Sequence, residues 1–323
     1  MSAMYDTRVV VADPLSDGGL ELLRREVEVV LPRGPAELRQ SLPASDGLIV
    51  RSQTRVTAEL LEYAGRLKII GRAGIGVDNI DVAAATDRGI LVINAPLGNV
   101  RSTAEHTIGL MFALARRVVA ADRAVRDGTW KAGYQGVQLS GKRLGVIGAG
   151  KVGRQVAGMG AALGMQVAVH DPFLTDADWR SLELMPSTFA DLIAESDFVS
   201  IHVPLSPQTL GLIGPGEIAR MKRGAYLVNC ARGGLIDEAA LAAALESGHL
   251  AGAALDVFTQ EPLRQSPLLA APNVVLTPHV AASTREAQAQ VSTDIALQVL
   301  NFFAGREVAF AINPAVLERA DRG

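Results

Sequence analysis

An arginine, a glutamate and a histidine in the last third of the chain have side chains that could do chemistry. Arg232 lies in an Asn-Cys-Ala-Arg-Gly-Gly segment, Glu261 precedes a proline, and His279 follows one. Transfer of a hydride from a carbinol to a nicotinamide requires a base for the hydroxyl proton and a cation for a neighbouring carboxylate. A carboxylate beside the imidazole would fix its tautomer and stabilise the imidazolium. The three residues therefore predict a dehydrogenase site with His279 as the base.

Each of these residues also has a simpler interpretation. His279 could be hydrogen-bonded to a neighbouring carbonyl, Glu261 could be a turn residue, and Arg232 could be a surface cation. Their positions favour a joint role, because each follows a predicted strand, and open α/β sheets bind ligands at the carboxyl ends of their strands.

A glycine-rich turn provides a second candidate site. The apolar residues 144–147 predict a strand and the residues after Gly153 predict a helix, so Gly-Ala-Gly-Lys-Val-Gly lies at a strand-to-helix turn. Gly148 would allow the tight turn, Gly150 would let a pyrophosphate approach the backbone, and Gly153 would let helix and strand pack closely. Alone, this pattern equally fits an ordinary glycine-rich turn.

Asp171 makes the dinucleotide interpretation more specific. It ends the next predicted strand, residues 166–170, and comes 18 residues after Gly153. An acid at this position accepts hydrogen bonds from the adenosine ribose and repels a 2′-phosphate, which favours NAD over NADP. Asp171 could instead form a turn before Pro172. The combination with the glycine turn predicts NAD as the cofactor.

Composition excludes several other classes of protein. The chain has 323 residues, 49% hydrophobic and 20% charged, with a net charge of −3, which suits a two-domain α/β enzyme. It has no basic patch for nucleic acid, no apolar run of roughly 18 residues for a membrane span, and no signal sequence. A single cysteine, Cys230, excludes an intrachain disulfide and a multi-cysteine metal site. We therefore expect a cytoplasmic protein that binds neither membrane nor nucleic acid.

Strands alternate with helices along the chain, which predicts two parallel sheets. The first would contain residues 8–12, 47–51, 67–72 and 90–94, and the second residues 144–147, 166–170, 197–201, 226–230, 253–257 and 273–277. A long helix is expected from Ser102 to about Gly128, and a final helix, residues 284–303, would return to the first domain. The predicted domains are residues 1–97 with 285–323, and residues 98–284 inserted between them.

The chain resembles the NAD-dependent D-isomer-specific 2-hydroxyacid dehydrogenases. The glycine turn with Asp171, the segments around Arg232 and Asp256, and the motifs at Glu261 and His279 carry the resemblance, which extends over residues 8–314. It implies a Rossmann-type NAD domain inserted into a smaller flavodoxin-like substrate domain, and no metal. Residues 48–52 and 71–81 are similar to members that oxidise 3-phospho-D-glycerate to 3-phosphohydroxypyruvate, the first step of serine biosynthesis.

The resemblance also implies which residues bind the ligands. Gly74, Ile75 and Gly76 would present N–H groups to the substrate carboxylate, Arg51 would reach its phosphate, and Asp256 would bond the carboxamide of the cofactor. The residues expected at NAD are Gly148, Gly150, Lys151, Val152, Gly153, Asp171, Val203, Cys230, Ala231, Arg232, Asp256, His279, Ala281 and Ala282. Those expected at the substrate are Arg51, Gly74, Ile75, Gly76, Asn99, Arg232, His279 and, from a partner subunit, Lys131.

Residues 127–131 resemble the segment through which two subunits of this family embrace. Residues 102–126 are too apolar to face water, so we expect a homodimer formed through the NAD-binding domain. Trp130 would pack against the partner.

Two of the predicted substrate residues also have a simpler interpretation. Arg51 could be a surface cation, and Lys131 could be a simple loop residue.

Two alternative functions remain open. Short members of the family include reductases of glyoxylate, hydroxypyruvate and other 2-oxoacids, which differ at the pocket end that Arg51 would occupy. An NAD(H)-sensing, corepressor-like binding protein would share the fold and the His/Glu/Arg set, and turnover would separate it from an enzyme. Because the sequence stops at Gly323, we expect no C-terminal regulatory domain and no serine feedback through one.

Overall fold

A computed structural model of the chain describes residues 6–130, 133–182 and 184–320. The chain divides into two compact units: unit 1 comprises residues 1–99 and 283–323, and unit 2 comprises residues 100–282. The assignment of the substrate to unit 1 and of the cofactor to unit 2 stays a prediction.

The secondary structure elements alternate along both units. The strands are β1 (Arg8–Val11), β2 (Glu28–Val30), β3 (Gly47–Val50), β4 (Ile69–Arg72), β5 (Leu91–Asn94), β6 (Arg143–Ile147), β7 (Gln166–His170), β8 (Phe198–Ile201), β9 (Tyr226–Asn229), β10 (Gly252–Leu255) and β11 (Val274–Leu276). The helices are α1 (Asp17–Glu26), α2 (Pro35–Ser41), α3 (Ala58–Leu61), α4 (Val82–Asp87), α5 (Val100–Ala115), α6 (Val118–Arg126), α7 (Lys151–Ala162), α8 (Asp176–Leu182), α9 (Phe189–Glu195), α10 (Pro215–Arg220), α11 (Glu238–Glu246), α12 (Arg285–Phe303) and α13 (Ala315–Ala320).

The described strands of unit 1 form a parallel sheet in the order β2-β1-β3-β4-β5. This is the flavodoxin order. An antiparallel bridge from Ile93 to Ala311 extends the sheet at β5, as expected from the returning C-terminal segment. Helix α12 packs so closely on β4 that a Cβ on Gly71 would stand 2.9 Å from the Ile295 side chain. The parallel arrangement brings the loops after β1, β3 and β4 to one edge of unit 1.

The described strands of unit 2 form a second parallel sheet, in the order β11-β10-β9-β8-β6-β7. At the outer edge of the sheet, Val169 of β7 makes a parallel bridge to Pro186, in the place that the third strand usually takes in a dinucleotide-binding half. The strand order reverses between β6 and β8, and ligands of such sheets bind at this reversal. The predicted α/β class with a Rossmann-type doubly wound sheet is confirmed.

Two details of the sequence interpretation were wrong. Strand β2 was not expected, because Glu28–Val30 is short and contains only two apolar residues. The single helix predicted from Ser102 to about Gly128 is two helices, α5 and α6, which meet at Arg117 in the left-handed region with φ +53°. Apolar composition is continuous across this break, so periodicity gave no sign of it. Among the described helices, none combines the length and apolarity of a membrane span.

Candidate active site

The glycine turn of unit 2 has a shape that fits a pyrophosphate. Gly148 has φ +96°, and a Cβ there would stand 2.7 Å from the His202 carbonyl oxygen. A Cβ on Gly153 would stand 1.9 Å from the Gly148 carbonyl oxygen, so helix α7 packs against the turn. Gly150 precedes α7 and has no atom within 4 Å of its Cβ position. The open space over Gly150 thus lies at a helix N-terminus, where backbone N–H groups favour an anion.

Asp171 lies beside this turn at the end of β7. Its Oδ2 accepts a hydrogen bond from the Ala149 N–H at 2.8 Å, and its Oδ1 accepts one from the Phe173 N–H at 3.0 Å. Each carboxylate oxygen can accept a further bond, so the group fits a pair of ribose hydroxyls. The neighbouring Phe173 is almost fully exposed.

The loop that carries Arg232 is fixed by Asn229, the last residue of β9. The Asn229 side chain is buried, donates from Nδ2 to the Arg232 carbonyl at 2.8 Å, and accepts at Oδ1 from the Ala231 N–H at 2.9 Å. Gly233 passes so close to the loop after β10 that a Cβ would stand 1.8 Å from the Phe258 carbonyl oxygen. These contacts set the backbone from which the Arg232 guanidinium projects.

The side chains of His279 and Glu261 form a hydrogen-bonded pair. His279 Nδ1 lies 2.8 Å from Glu261 Oε2, and the other carboxylate oxygen accepts the Phe258 N–H at 3.1 Å. Burial acts to raise the pKa of Glu261, but the hydrogen bond and charge of His279 outweigh it and hold that pKa below its usual value. Because Nδ1 faces a carboxylate, it carries the proton, and Nε2 is the nitrogen that can accept one. The side chains are 43% and 37% exposed, so a ligand can reach the pair.

Asp256 holds the backbone of the His279 loop. Its buried carboxylate accepts the Thr277 hydroxyl at 2.5 Å, the Val280 N–H at 2.9 Å and the Ala281 N–H at 2.8 Å. Its carbonyl accepts the N–H of His279, whose φ is +53°. Burial acts to raise the pKa of Asp256, but these donors and that of His106 lower it overall. The predicted bond from Asp256 to the carboxamide stays a prediction.

Helix α5 reaches the same loop through two side chains that the sequence analysis did not select. His106 Nε2 lies 3.1 Å from the Thr277 hydroxyl, and the Ser102 hydroxyl donates to the Ala281 carbonyl at 2.7 Å. The single Thr277 proton is directed to Asp256, so His106 must be the donor and carries its proton on Nε2. No motif pointed to these residues, because neutral polar side chains on an apolar helix are common.

Cys230 is buried and is not a nucleophile at neutral pH, and its predicted place beside the nicotinamide stays a prediction. Its side chain is buried, and burial raises the pKa of the thiol to about 12, which leaves the unreactive thiol at neutral pH. Burial likewise lowers the pKa of His202 to about 4, so this imidazole beneath the glycine turn is neutral. The other predicted cofactor residues lie at the carboxyl edge or in the first turn of α7, namely Lys151, Val152, Val203, Ala231 and Ala282.

Unit 1 contains the predicted substrate residues Gly74, Ile75 and Gly76 in the loop after β4. Gly74 has φ +148°, and a Cβ there would stand 1.3 Å from Arg72 Nη1, so the Arg72 guanidinium lies over the loop. Buried Asn94, at the end of β5, donates to the Ile75 carbonyl at 2.6 Å. The Gly74 N–H donates within the loop, to the Arg72 carbonyl at 2.9 Å, and binding of a carboxylate by the loop stays a prediction.

The remaining predicted substrate residues are Arg51, Asn99 and Lys131. Arg51 is half-buried at the end of β3, where burial lowers its pKa and the charge of Asp13 raises it. Asn99 is buried, and its Oδ1 has no hydrogen-bond partner within the described ranges, while its predicted contact with the substrate stays a prediction. Lys131 lies outside the described residues. The preceding Trp130 is 80% exposed.

Comparison with known proteins gives consistent matches. The sequence profile described as "D-isomer specific 2-hydroxyacid dehydrogenase, NAD binding domain" matches residues 108–281. A curated D-3-phosphoglycerate dehydrogenase of Archaeoglobus fulgidus is 47% identical over 97% of this chain and 60% of its own length. The corresponding protein of Bacillus subtilis is 44% identical over 95% of this chain and 59% of its own length. The chain therefore spans about 60% of the curated relatives that it matches.

Solved structures extend the likeness over both units. A crystal structure of a Thermus thermophilus protein aligns with a TM-score of 0.87 at 38% identity, covering 95% of this chain and 100% of that one. The D-lactate dehydrogenase of Aquifex aeolicus, solved with NAD and lactic acid, aligns with a TM-score of 0.81 at 28% identity over 93% and 96% of the two chains.

Proposed function

Because the chain belongs to the family of D-isomer-specific 2-hydroxyacid dehydrogenases, we propose that it oxidises 3-phospho-D-glycerate to 3-phosphohydroxypyruvate with NAD. The relatives named for this activity support the choice of substrate, since they are 41–47% identical to the chain. The reaction would be the first step of serine biosynthesis. Metabolic relatives of this kind also support a cytoplasmic location.

The hydrogen-bonded pair of His279 and Glu261 carries the chemical part of the proposal. His279 would accept the hydroxyl proton of the substrate at Nε2, because Nδ1 is already directed at Glu261. The imidazolium formed would then lie 2.8 Å from a carboxylate, which stabilises it as the reaction proceeds. Bound NAD supplies the acceptor for the hydride that leaves C2. Arg232 would bind the substrate carboxylate and so orient C2.

We assign substrate recognition in unit 1 to two loops at one edge of its sheet. The loop of Gly74, Ile75 and Gly76 would bind the carboxylate through backbone N–H groups, and Arg51 would bind the phosphate. The buried Oδ1 of Asn99 would accept a substrate hydroxyl, which would satisfy it. An unphosphorylated substrate would leave the guanidinium of Arg51 without its anion.

The first test is a substrate comparison that follows NADH absorbance. The purified protein is offered 3-phosphoglycerate with NAD and, separately, phosphohydroxypyruvate, hydroxypyruvate and glyoxylate with NADH. We expect kcat/KM for phosphohydroxypyruvate to exceed that for the unphosphorylated acids. A preference for hydroxypyruvate or glyoxylate would replace the substrate with that of a 2-oxoacid reductase.

A His279→Ala variant tests the catalytic assignment separately. We expect turnover to fall by about 10³-fold or more, since a general base of this kind contributes on the order of 10²–10⁴. NAD affinity should stay near the wild-type value, because the glycine turn and Asp171 are unchanged. Near-normal turnover of the variant would contradict the assignment.

We also propose that the chain forms a homodimer through unit 2. Helices α5 and α6 leave apolar side chains exposed at Phe112, Val118, Val119 and Val125, and the exposed Trp130 follows them. Apolar residues grouped in this way mark an interaction surface. Light scattering coupled to gel filtration should give twice the monomer mass, and Val125→Asp should lower it. A monomeric wild-type protein would contradict the proposal, and with it the predicted contribution of Lys131 from a partner subunit.

A further inference from the structure

Two side chains from other parts of unit 1 form hydrogen bonds that hold the loop after β3, residues 51–54. It begins with Arg51 and ends with Thr54, while Ser52 and Gln53 between them are exposed. Such a short exposed loop would be mobile if only its covalent ends held it. Its conformation therefore depends on the groups that bind its backbone.

Asp13, two residues after β1, binds the loop at both ends. Its Oδ2 accepts the N–H groups of Arg51 at 2.5 Å and of Thr54 at 3.2 Å, and its Oδ1 accepts the Thr54 hydroxyl at 2.6 Å. The carboxylate is 4% exposed. Burying an anion is costly unless donors satisfy it, and here the three donors all belong to the loop.

Asn79, in the loop after β4, binds the same two residues from the carbonyl side. Its Nδ2 donates to the Arg51 carbonyl at 2.7 Å and to the Thr54 carbonyl at 2.6 Å. The next residues continue the attachment, because the Val56 N–H donates to the Asn79 carbonyl at 2.8 Å. Asp13 and Asn79 thus fix both N–H groups and both carbonyls of residues 51 and 54.

Because Asp13 is an anion, it does not itself bind the phosphate. A buried carboxylate so close to the loop would repel a phosphate if it faced the ligand. The Asp13 oxygens instead face the loop backbone and the Thr54 hydroxyl. Burial lowers the pKa of the half-buried Arg51, and the charge of Asp13 partly offsets this effect.

We propose that Asp13 and Asn79 are positioning residues that hold residues 51–54 in the conformation that binds the phosphate of the substrate. Together they set the preference for a phosphorylated over an unphosphorylated 2-oxoacid. This inference rests on the proposed function. A backbone that is already held at residue 51 lowers the conformational entropy that is lost when the Arg51 guanidinium makes a bidentate contact with a phosphate.

The test compares phosphohydroxypyruvate with hydroxypyruvate as substrates of the wild type, Asp13→Ala and Asn79→Ala. We expect each variant to lose about tenfold or more in kcat/KM for the phosphorylated acid, mainly through KM, as for the loss of one to two hydrogen bonds to the phosphate. For hydroxypyruvate the loss should stay within about threefold, since no phosphate is bound. Urea unfolding reports whether each variant is folded, and NAD affinity reports whether unit 2 is unchanged.

Asp13→Asn is the matched control. Its Oδ1 can replace the oxygen that accepts the two N–H groups, and its amide can donate to the Thr54 hydroxyl, so the loop contacts survive without the charge. We expect it to keep the wild-type preference within about threefold. If Asp13→Ala does not fold, Asn79→Ala decides, because its side chain is only half-buried.

The outcomes separate the two proposals. An equal loss for both acids, or an unchanged preference in a folded variant, would overturn the positioning role and leave the proposed function standing. Loss of the preference in Asp13→Asn would also overturn it, since charge rather than loop geometry would then be responsible. A wild-type enzyme without preference for the phosphorylated acid would overturn the proposed function and this inference with it.

Discussion

Replacing Gly150 by alanine should weaken NAD binding without unfolding unit 2. The residue has φ −67° and ψ −174°, a conformation open to any residue, and its Cβ position is free of protein atoms to 4 Å. Alanine is a poorer residue than glycine before a helix, but it also restricts the unfolded chain. These effects oppose each other, so the free energy of unfolding should change by less than about 1 kcal/mol.

The effect on NAD should be larger because the new methyl group occupies the space over the helix N-terminus. A pyrophosphate that accepts hydrogen bonds from the turn must approach its backbone to about 2.9 Å, which leaves no room for a Cβ. Displacing it costs roughly 2 kcal/mol, the usual range for an added methyl group in a filled site, and raises Kd about thirtyfold. Calorimetric titration with NAD measures Kd, and urea unfolding measures stability.

Two glycines within α7 provide matched variants. Gly158→Ala places its methyl group in open space in the middle of the helix, so it should add about 0.5–1 kcal/mol of stability and leave NAD affinity unchanged. Gly153→Ala places a Cβ 1.9 Å from the Gly148 carbonyl oxygen and should reduce both stability and affinity. An affinity of Gly150→Ala within about threefold of the wild type would refute the placement of the pyrophosphate over this residue.

Three further predictions concern ionisable groups. Glu261→Gln keeps an acceptor for His279 but removes the charge, so kcat should fall about 10²-fold while NAD affinity is retained; a kcat near the wild-type value would exclude this role. With a pKa of about 12, the thiol of Cys230 is ionised in roughly one molecule in 10⁴ at pH 8, so iodoacetamide should label the protein only after unfolding, and labelling of the native protein would contradict its burial. Burial lowers the pKa of His202 from 6.5 to about 4, so between these pH values only the unfolded chain binds a proton. The free energy of unfolding should therefore be highest above pH 6.5 and fall by about 3 kcal/mol towards pH 4. An equal pH dependence of this free energy in urea titrations of His202→Asn would refute this reasoning.

Most of the fold could be predicted because its strands are continuous apolar runs. Strand β3, for example, is Gly-Leu-Ile-Val and is buried along its whole length. Buried parallel strands of this kind are separated by helices, so their positions and the sheet type follow from the sequence. The break at Arg117 could not be predicted, because it depends on the packing of a later segment: the Val137 N–H binds the Ala115 carbonyl.

The residues of the candidate site likewise divide into those that the sequence could predict and those that it could not. Arg232, Glu261 and His279 could be selected because their side chains have few roles other than charge or proton transfer, and each follows an apolar strand. Asn229 and Ser102 could not, since they act through hydrogen bonds to loop backbone and not through chemistry of their own. Small neutral polar residues occur throughout a sequence, and their spacing does not reveal which loop they bind.

These supporting residues solve one physical problem at several places. In a loop that follows the carboxyl end of a buried strand, the backbone N–H and C=O groups no longer have partners in the sheet but are still shielded from water. Each of these groups that lacks a hydrogen bond costs about 1–3 kcal/mol of stability. In each case a buried side chain forms hydrogen bonds with these backbone groups. These side chains are Asn229 for the Arg232 loop, Asp256 for the His279 loop, Asn94 for the loop at Gly74, and Asp13 for residues 51–54. Because the same bonds also fix the loop, the ligand does not have to order it on binding. Substitution of such a support should therefore affect KM or kcat even where the protein still folds.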